Sequence, residues 1–267
     1  MYPYKLVDEM RVQNPLVHNI TNIVVANDSA NGLLAIGASP FMSSAVPEMA
    51  EVAGIADVVV LNMGTLNEEQ IEAMEIAGTT ARKLGKPVVF DPVGIGATSF
   101  RKTAGIRLIE MIKPTLIRGN AGEIATLAEA DWSAKGVDAG SGEGDVVAMA
   151  KTVAKKYHTF VVVSGVEDVI TDGEKTYLVK NGTSYFPSMT GAGCLHSCVC
   201  GAYLALTEKP VIEQVVVASA MYALAGELVA DMLPVLAVGS FRNNLLDQLS
   251  QMDTLSVQEN SRIEKVD

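Results

Sequence analysis

The sequence has few aromatic residues and little positive charge. Phe, Trp and Tyr make up 5% of the 267 residues, so the sequence gives no sign of a large stacking platform for a heterocyclic ligand. The chain carries 20 basic and 31 acidic residues, a formal net charge of −11. Nucleic acids and anionic membranes bind positively charged faces, so we expect neither of them as a partner.

Cysteine is also scarce, and its few copies lie close together. The three cysteines are Cys194, Cys198 and Cys200. An odd count at helical spacing argues against a disulfide framework, and two thiols without a clustered histidine make a poor zinc site. We therefore expect buried free thiols at positions 198 and 200, and a reducing, cytoplasmic setting.

We find no sign of a secretory signal, an internal repeat or a low-complexity linker. Residues 1–5 lack the basic region and following apolar region of a signal peptide. The longest apolar stretch, residues 211–233, contains Glu213, Gln214, Glu227 and Asp231, and we expect it to be too polar for a membrane span and to form a buried helix. With 49% apolar residues, residues 1–267 are expected to form one domain with its own core.

Strand and helix patterns alternate along most of the chain. Apolar, β-branched runs predict strands at residues 57–64, 86–91, 115–118 and 159–165, and the stretches between them predict helices. Such alternation is typical of an α/β fold. It predicts a mostly parallel central sheet with helices on both faces.

Local signals predict several boundaries within this pattern. Thr65-x-x-Glu68 has the form of a capping box at the start of a helix. The dipeptides Asp172-Gly173 and Asn181-Gly182 are typical of hairpin turns and predict an antiparallel patch over residues 169–185. The polar residues 253–267 are expected to form either a frayed tail or an edge strand.

The most informative stretch is Met189-Thr190-Gly191-Ala192-Gly193-Cys194-Leu195-His196-Ser197. Two glycines precede an apolar run with helical spacing, which predicts a tight loop that opens a helix. The first N–H groups of a helix lack partners and carry partial positive charge, and glycine lets an anion approach the backbone. Short Gly-x-Gly turns are usually only turns, so this loop indicates an anion site only if other residues complete it. Cys194, which can exchange a proton, lies at its mouth.

Polar residues and glycines follow the ends of the predicted strands, where ligands bind in open parallel sheets. Asp91 ends one strand, and Arg118-Gly119-Asn120-Ala121-Gly122-Glu123 surrounds the end of the next. Carboxylates hold Mg²⁺ together with phosphate oxygens, and arginine suits a polyphosphate. Each residue also has a structural alternative, namely a helix cap for Asp91, a helix N-terminus for Glu123 and a surface ion pair for Arg118. Further strand-end positions are Asn62, Gly64, Ser164 and Gly165.

Three motifs carry a family resemblance. They are Asp91-Pro92-Val93-Gly94, Arg118-Gly119-Asn120-x-x-Glu123 and Thr190-Gly191-Ala192-Gly193-Cys194. Together they resemble hydroxyethylthiazole kinase, within the ribokinase-like superfamily. Residues 15–22, Gly37-Ala38-Ser39-Pro40-x-Met42 and Asp131-Trp132-x-x-Lys135-Gly136-Val137-Asp138 are also similar to motifs of that family. The resemblance spans about residues 16–241 and implies a ribokinase-like three-layer sandwich.

The resemblance also implies an activity. This is the ATP-dependent phosphorylation of the primary alcohol of 4-methyl-5-(2-hydroxyethyl)thiazole, in thiamine salvage, by a homotrimer with active sites at the subunit interfaces. By motif match, the substrate-binding residues are Met42 and Gly191, with Asn22 and Gly64 as further candidates. The residues implied to contact ATP are Arg118 and Ser164, with Asn120 as a further candidate, and those implied to organise Mg²⁺ are Asp91 and Glu123.

Cys194 stands where sugar kinases of the wider superfamily usually have an aspartate base. We expect the N–H groups of Ala192, Gly193 and Cys194 to form an anion hole for the moving phosphoryl group. Cys194 would then be the side chain nearest the reacting hydroxyl. Its action as a base is a hypothesis, because the loose transition state of phosphoryl transfer asks little of a base.

Three other functions stay open from the sequence. The chain could be a ribokinase-like kinase of another small alcohol, such as a hydroxymethylpyrimidine or a sugar, which a substrate panel would detect. It could be an acyl-transfer enzyme with Cys194 as nucleophile, although His196 would face elsewhere on the helix. It could also be a nucleotide sensor without catalysis, but the anion loop and the carboxylates of Asp91 and Glu123 argue against this.

Overall fold

The computed structural model describes residues 2–130, 143–234 and 237–266, and the motif from Asp131 to Asp138 lies outside these residues. Eleven helices among the described residues are numbered α1–α11 in chain order: Leu6–Gln13, Ala26–Ile36, Met49–Ile55, Glu68–Lys83, Ser99–Ile112, Ala121–Ala128, Glu143–Tyr157, Ala192–Leu204, Ile212–Met232, Val238–Gln251 and Thr254–Asn260. Nine strands are β1–β9 over the same described ranges: Leu16–Ile20, Ser39–Phe41, Val58–Asn62, Val88–Asp91, Leu116–Asn120, Phe160–Ser164, Asp168–Thr171, Thr176–Val179 and Ile263–Val266.

The strands form one sheet in the order β2-β1-β3-β4-β5-β6-β7-β8-β9. The strands from β2 to β6 in this order are mutually parallel. Strands β7, β8 and β9 each pair antiparallel with the strand before them. This is the mostly parallel α/β sheet that the alternating pattern predicts.

Alternate residues of the central strands enter two different cores. Val58 and Val60 of β3 pack in a core with residues of α2, α8, α9 and α10. Val59 and Leu61 of the same strand pack in a second core with residues of α4 to α7. Because successive side chains of a strand point to opposite faces, the run of apolar residues covers both sides of the sheet. The result is the predicted sandwich of two helical layers around a sheet.

Helix α9 is the buried helix predicted for residues 211–233. By length and composition alone it is apolar enough to cross a membrane, which contradicts the expectation that its polar residues exclude this. However, 72% of its most apolar window is buried inside the protein. Its apolar side chains, such as Val215, Ala218 and Val229, pack in the core between α8 and α10.

The cap of α4 is Asn67 rather than Thr65. The Asn67 side chain accepts the N–H of Gln70 at 2.8 Å. Thr65 Oγ1 instead accepts the N–H of Ile23 at 3.3 Å. The predicted capping box is wrong because Thr65 lies two residues before the cap, where it ties the loop after β3 to the loop after β1.

Only one of the two predicted hairpin turns is present. Asp172-Gly173 joins β7 to β8 as predicted. The prediction for Asn181-Gly182 is wrong, because the second neighbour of β8 is the distant strand β9. The Asn181 Oδ1 atom accepts the N–H of Arg262 at 2.6 Å and so fixes the entry to β9.

Both end segments of the described chain are fixed by contacts with residues far from them in sequence. Residues 263–266 form an edge strand, which confirms one of the two expectations for the C-terminal segment and makes the frayed tail wrong. Arg11 of α1 donates hydrogen bonds to the carbonyls of Leu249, Ser250 and Met252 at distances of 3.1, 2.7 and 3.0 Å. The first helix therefore rests on the end of α10.

Candidate active site

Six parallel strands end at one edge of the sheet, and each carries one or more of the candidate residues. In sheet order from β2 to β6, these strand ends present Met42, Asn22, Gly64, Asp91, Arg118 and Ser164. Neighbouring strands lie about 4.8 Å apart, so the ends of β1 and β6 are separated by roughly 19 Å. The order places the candidate substrate residues at one end of this line and the candidate ATP residues at the other, with Asp91 between them.

The glycine loop opens α8 as predicted. Gly191 is the residue before the helix and has a φ of 86°, in the left-handed region that favours glycine. A Cβ atom at this position would also lie 2.5 Å from Val25 Cγ1. Gly191 is therefore required for both its backbone conformation and its close contact with Val25.

Of the three N–H groups expected to form the anion hole, two are free and one is not. The N–H of Ala192 donates to the carbonyl of Met189 at 3.2 Å, and that of Leu195 donates to the carbonyl of Gly191 at 2.9 Å. Within the described residues, the N–H groups of Gly193 and Cys194 have no hydrogen-bond acceptor. The expected role of the Ala192 N–H is corrected accordingly, because the tight turn before the helix already uses it.

The guanidinium of Arg118 lies directly against this loop. A Cβ atom at Gly193 would overlap Nη1 of Arg118, so glycine is needed here for space. Arg118 is only 8% exposed, its Nη2 donates to Ser164 Oγ, and its Nε is buried without a partner among the described residues. Burial alone would lower the pKa of Arg118, but the carboxylates of Asp91, Asp168 and Glu123 raise it, so the side chain stays charged. The predicted Arg118 and Ser164 pair is thus brought together beside the loop.

Asp91 is buried with one oxygen fixed and the other without a partner. Its Oδ2 accepts hydrogen bonds from Ser197 Oγ of α8 at 2.7 Å and from Asn62 Nδ2 of β3 at 2.9 Å. Its Oδ1 is buried and has no hydrogen-bond partner among the described residues. Burial raises the pKa of Asp91, while Arg118 and the two hydrogen bonds lower it.

Asn62 extends this network to the residues at the substrate end. Its Oδ1 accepts from Asn22 Nδ2 and from the N–H of Gly64, both at 2.9 Å. Asn22 Nδ2 also lies 3.5 Å from Cys194 Sγ. A Cβ atom at Gly64 would lie 2.5 Å from Asn22 Cβ, so this glycine lets the two loops meet. Asn22, Gly64 and Cys194 therefore belong to one network with Asp91.

The Cys194 thiol is neutral at physiological pH. Burial and, to a smaller extent, the charge of Asp91 raise its pKa to about 11. Asn62, Arg118 and Asn22 have smaller effects that lower it. Burial and the Asp91 charge also outweigh the position at a helix N-terminus, which by itself lowers the pKa of a thiol.

Glu123 and Asn120 form a reciprocal cap on α6. Asn120 Oδ1 accepts the N–H of Glu123 at 2.9 Å, and Glu123 Oε2 accepts the N–H of Asn120 at 2.8 Å. The second Glu123 oxygen accepts the N–H of Gly94 at 2.9 Å and so joins the loops after β4 and β5. The structural alternative for Glu123 is thus present, and the side-chain oxygen of Asn120 serves the helix rather than a ligand. Among the described residues, no three His, Cys, Asp or Glu side chains cluster as a metal site.

Met42 stands apart from this hydrogen-bonded network. It follows the edge strand β2, and 37% of its surface is exposed. Ile23 and Val24, in the loop after β1, are 81% and 64% exposed. The substrate end of the site is therefore bordered by apolar side chains that face outward.

His196 faces away from Cys194, as expected from its place on the helix. Its Nε2 lies 2.9 Å from Ser219 Oγ of α9, and burial, aided by Arg118, lowers its pKa well below the usual value. Because His196 is turned into the core, no Cys194–His196 pair exists for acyl transfer. Cys198 and Cys200 are buried free thiols, as predicted.

Sequence reasoning missed several residues of the site. Asn62 stands out in the sequence only as a strand-end residue, although its side chain links Asp91 to Asn22 and to the N–H of Gly64. Ser197 lies in the loop motif, and its place one turn after Gly193 is the only signal for its contact with Asp91. Asp168, whose charge acts on Arg118, and Tyr222, whose hydroxyl donates to the carbonyl of Ala192, give no local signal, because their places depend on how β7 and α9 pack.

Comparison with known proteins gives a consistent result. A profile of the Hydroxyethylthiazole kinase family matches residues 7–254. Hydroxyethylthiazole kinase of Pasteurella multocida (strain Pm70) is 50% identical over 258 residues, which are 96% of this chain and 97% of that protein. The structure of a hydroxyethylthiazole kinase protein from Pyrococcus horikoshii OT3 has a TM-score of 0.89 and 34% identity, covering 99% of this chain and 98% of the other.

More distant structures share the fold alone. The pyridoxal kinase of Staphylococcus aureus in complex with AMP-PCP and pyridoxal has a TM-score of 0.63 at 16% identity, covering 94% of this chain and 99% of that one. Together with a ribokinase-like neighbour, it confirms the ribokinase-like three-layer fold.

Asp168 makes the stability of the protein depend on pH. Burial raises its pKa from 3.8 to about 6, and Arg118 and the N–H of Gly165 only partly oppose this. The folded state therefore binds this proton more tightly than the unfolded state, and the stability from this group is lost as the pH rises through about 6. Asp168→Asn stays neutral and removes one charge that faces Arg118, but the raised pKa of Asp168 means that the cost of burying its charge exceeds this attraction. We therefore expect the variant to increase the free energy of unfolding by roughly 1–3 kcal/mol above this pH.

Urea unfolding on either side of the titration tests this prediction. The gain should shrink as the pH approaches 4, where the wild-type carboxyl is also protonated. Asp247→Asn, at an exposed position, controls for the loss of one surface charge. A variant that is no more stable than the wild type at about pH 8 would show that the prediction is wrong.

Proposed function

The chain belongs to the hydroxyethylthiazole kinase family, and we propose that it transfers the γ-phosphoryl group of ATP to the primary alcohol of 4-methyl-5-(2-hydroxyethyl)thiazole. The phosphate that forms is a building block for thiamine. The observation that carries this proposal is the pair of free N–H groups at Gly193 and Cys194, beside the buried Arg118 and at the centre of the line of strand ends. We assign residues 1–267 to one kinase domain.

The order of the strand ends supports the placement of the two substrates. Asn22, Gly64 and Gly191 lie on the side of β1 and β3, where we place the thiazole, with Met42 beyond them on β2. Arg118 and Ser164 lie on the side of β5 and β6, where we place ATP. The reacting oxygen and the γ-phosphate then meet in front of the glycine loop.

The protein accelerates the transfer mainly by position and charge. The phosphoryl group carries its charge on its outer oxygens in a loose transition state, so fixed donors directed at those oxygens lower the barrier. The N–H groups of Gly193 and Cys194 are such donors, because they have no other acceptor among the described residues. Arg118 adds a full positive charge next to Gly193, and it needs no reorientation because it is packed in place.

The residues around Asp91 fit a bound Mg²⁺. The Oδ1 atom is a buried carboxylate oxygen without a donor among the described residues, which is the kind of ligand that Mg²⁺ accepts directly or through water. Glu123 already accepts two backbone N–H groups, so we propose that it acts through water. When bound, Mg²⁺ would supply charge that offsets the phosphates of ATP.

Cys194 is the side chain that we place nearest the reacting hydroxyl. Its thiol, with a pKa of about 11, is protonated at neutral pH and is a poor acceptor for the proton of an alcohol. We propose that it acts mainly through its backbone N–H and by shaping the pocket, and that its base function is weak. Asn22 Nδ2, close to its sulfur, holds the side chain in this position.

We further propose a homotrimer in the cytoplasm. The exposed Ile23, Val24 and Met42 border the substrate end, and Leu34 of α2, a helix that packs beside β2, is 59% exposed. A neighbouring subunit on this face would bury these side chains and complete the thiazole pocket. All three cysteines are free thiols, which suits a reducing compartment.

Formation of ADP from ATP, Mg²⁺ and the hydroxyethylthiazole tests the activity. We expect ADP to form only when the alcohol is present, because the site binds both substrates in line before transfer. A panel with a hydroxymethylpyrimidine and a sugar measures the selectivity. If ADP forms with one of these alcohols and not with the thiazole, the proposed substrate is wrong.

Cys194→Asp tests the weak-base assignment. A carboxylate has an ordinary pKa near 4 and stays ionised at neutral pH even when burial raises that value, so it accepts a proton better than the thiol does. We expect the turnover to equal or exceed the wild-type value. Any increase should be smaller than the ~10²–10⁴-fold that a general base contributes. Cys194→Ser is the control of similar size without a base and should not exceed the wild type. Abolished turnover in a folded Cys194→Asp variant would contradict the assignment.

The oligomeric state is measured by sedimentation equilibrium. We expect a mass three times the chain mass of 28.2 kDa. Substitution of the exposed Val24 by Glu should shift the protein towards monomers and raise KM for the thiazole, because a buried charge opposes association. Val12→Glu, at an exposed position on α1 that is 84% accessible, is the matched control. A wild-type protein that sediments as a monomer would exclude the trimer.

A further inference from the structure

A tyrosine outside the predicted motifs contacts the glycine loop. Tyr222 lies on α9, is 3% exposed, and its hydroxyl donates to the carbonyl of Ala192 at 2.8 Å. Ala192 is the first residue of α8, immediately before one of the two free N–H groups. No other side chain among the described residues donates a hydrogen bond to the backbone of residues 191–192.

The carbonyl of Ala192 also accepts a helical N–H of α8, and the Tyr222 hydroxyl is a second donor that helps to hold this carbonyl in place. The carbonyl of Ala192 and the N–H of Gly193 belong to the same peptide plane and point in opposite directions. A donor that holds the carbonyl on the core side therefore holds the N–H on the outer side, towards the strand ends. At the first turn of a helix this constraint matters most, because the N–H has no helical partner of its own.

The ring of Tyr222 is itself held between two other rings. Phe186 stacks on one side with a centroid distance of 5.0 Å and an angle of 22°, and His196 stacks on the other at 5.1 Å and 12°. A Cβ atom at Gly226, one turn further along α9, would overlap the Phe186 ring, so this glycine makes room for the stack.

His196, which stacks on Tyr222, is itself held by a contact with α9. Its Nε2 lies 2.9 Å from Ser219 Oγ, one turn before Tyr222 on α9. Ser219, Tyr222 and Gly226 thus lie on one face of α9. This face contacts His196 of α8 and Phe186 in the turn at residues 186–188. A tyrosine with this many constraints has little freedom to turn its hydroxyl away from Ala192.

We propose that Tyr222 is a positioning residue for phosphoryl transfer, which holds the Ala192–Gly193 peptide so that the Gly193 N–H points at the transferred group. The proposal rests on the proposed function. It differs from a purely structural role in what it predicts, because an N–H directed at developing charge acts on the transition state more than on bound substrate.

Tyr222→Phe removes the hydroxyl and keeps the stacked ring. Loss of a whole oxyanion donor costs about 10²–10³-fold in kcat, so a donor that is only less well aimed should cost about tenfold. We expect that fall in kcat, with KM for ATP and for the alcohol changed by less than about twofold. The melting temperature should fall by only a few degrees, as for the loss of one buried hydrogen bond.

Tyr177→Phe is the matched control. Tyr177 is also buried, on β8, and its hydroxyl donates to Glu213 Oε1 at 2.9 Å, away from the strand ends at β1 to β6. The control loses the same atom from a buried tyrosine and should keep the wild-type kcat. If Tyr222→Phe has wild-type kcat, or if Tyr177→Phe loses as much, the proposal is overturned.

A binding measurement separates this proposal from the proposed function. Calorimetry with ADP and Mg²⁺, with and without aluminium fluoride as a mimic of the transferred group, needs no turnover. Tyr222→Phe should bind ADP as the wild type does and lose about tenfold in the additional affinity that aluminium fluoride gives. An equal loss for ADP alone would indicate a structural role and overturn the proposal. A wild type that binds the mimic but does not phosphorylate the thiazole would instead refute the proposed substrate.

Discussion

The buried charge of Arg118 is the constraint on which the rest of the site depends. A guanidinium that is removed from water costs several kcal/mol unless opposite charges surround it. Asp91, Asp168 and Glu123 supply those charges from β4, β7 and α6. The three elements meet because β4, β5 and β6 end in register at one edge of the sheet, and β7 returns from the same edge. The parallel topology therefore brings the compensating carboxylates to the place where the guanidinium is buried.

The glycines of the site follow from this crowding. Gly193 leaves room for Arg118, Gly64 leaves room for Asn22, and Gly191 turns the chain beside Val25. Only Gly191 among these three has a backbone conformation that disfavours other residues. The loop is thus glycine-rich mainly because the side chains of Val25, before α2, and Arg118, in β5, fill the space that its own side chains would need. The backbone N–H groups stay accessible as a result, and a charged side chain stands beside them.

The sequence was sufficient for four of the six parallel strands, β3 to β6, and for the polar residues at their ends, but not for β1 and β2. Apolar runs broken by glycine and polar residues marked the strands, and the rule that ligands bind beyond strand ends selected Asp91, Arg118 and Ser164. What could not be derived is which hydrogen-bond partner each group finds. The Ala192 N–H donates to Met189 and the Asn120 side chain accepts from its own helix, because in each case a partner lies only three residues away along the chain. Tyr222 is more than twenty residues beyond the loop, and only the packing of α9 on α8 brings it there.

The early and late segments of the chain close on each other, and this bears on how the protein is made. Strand β9, which completes the sheet, and the carbonyls that receive Arg11 of the first helix come from residues synthesised after the elements that they join. A nascent chain can pair the inner parallel strands as they emerge. Its first helix cannot make the hydrogen bonds of Arg11 until residues 249–252 have been made. Until then, the apolar face of that helix, with Leu6, Val7 and Met10, lacks the partners that bury it in the finished protein.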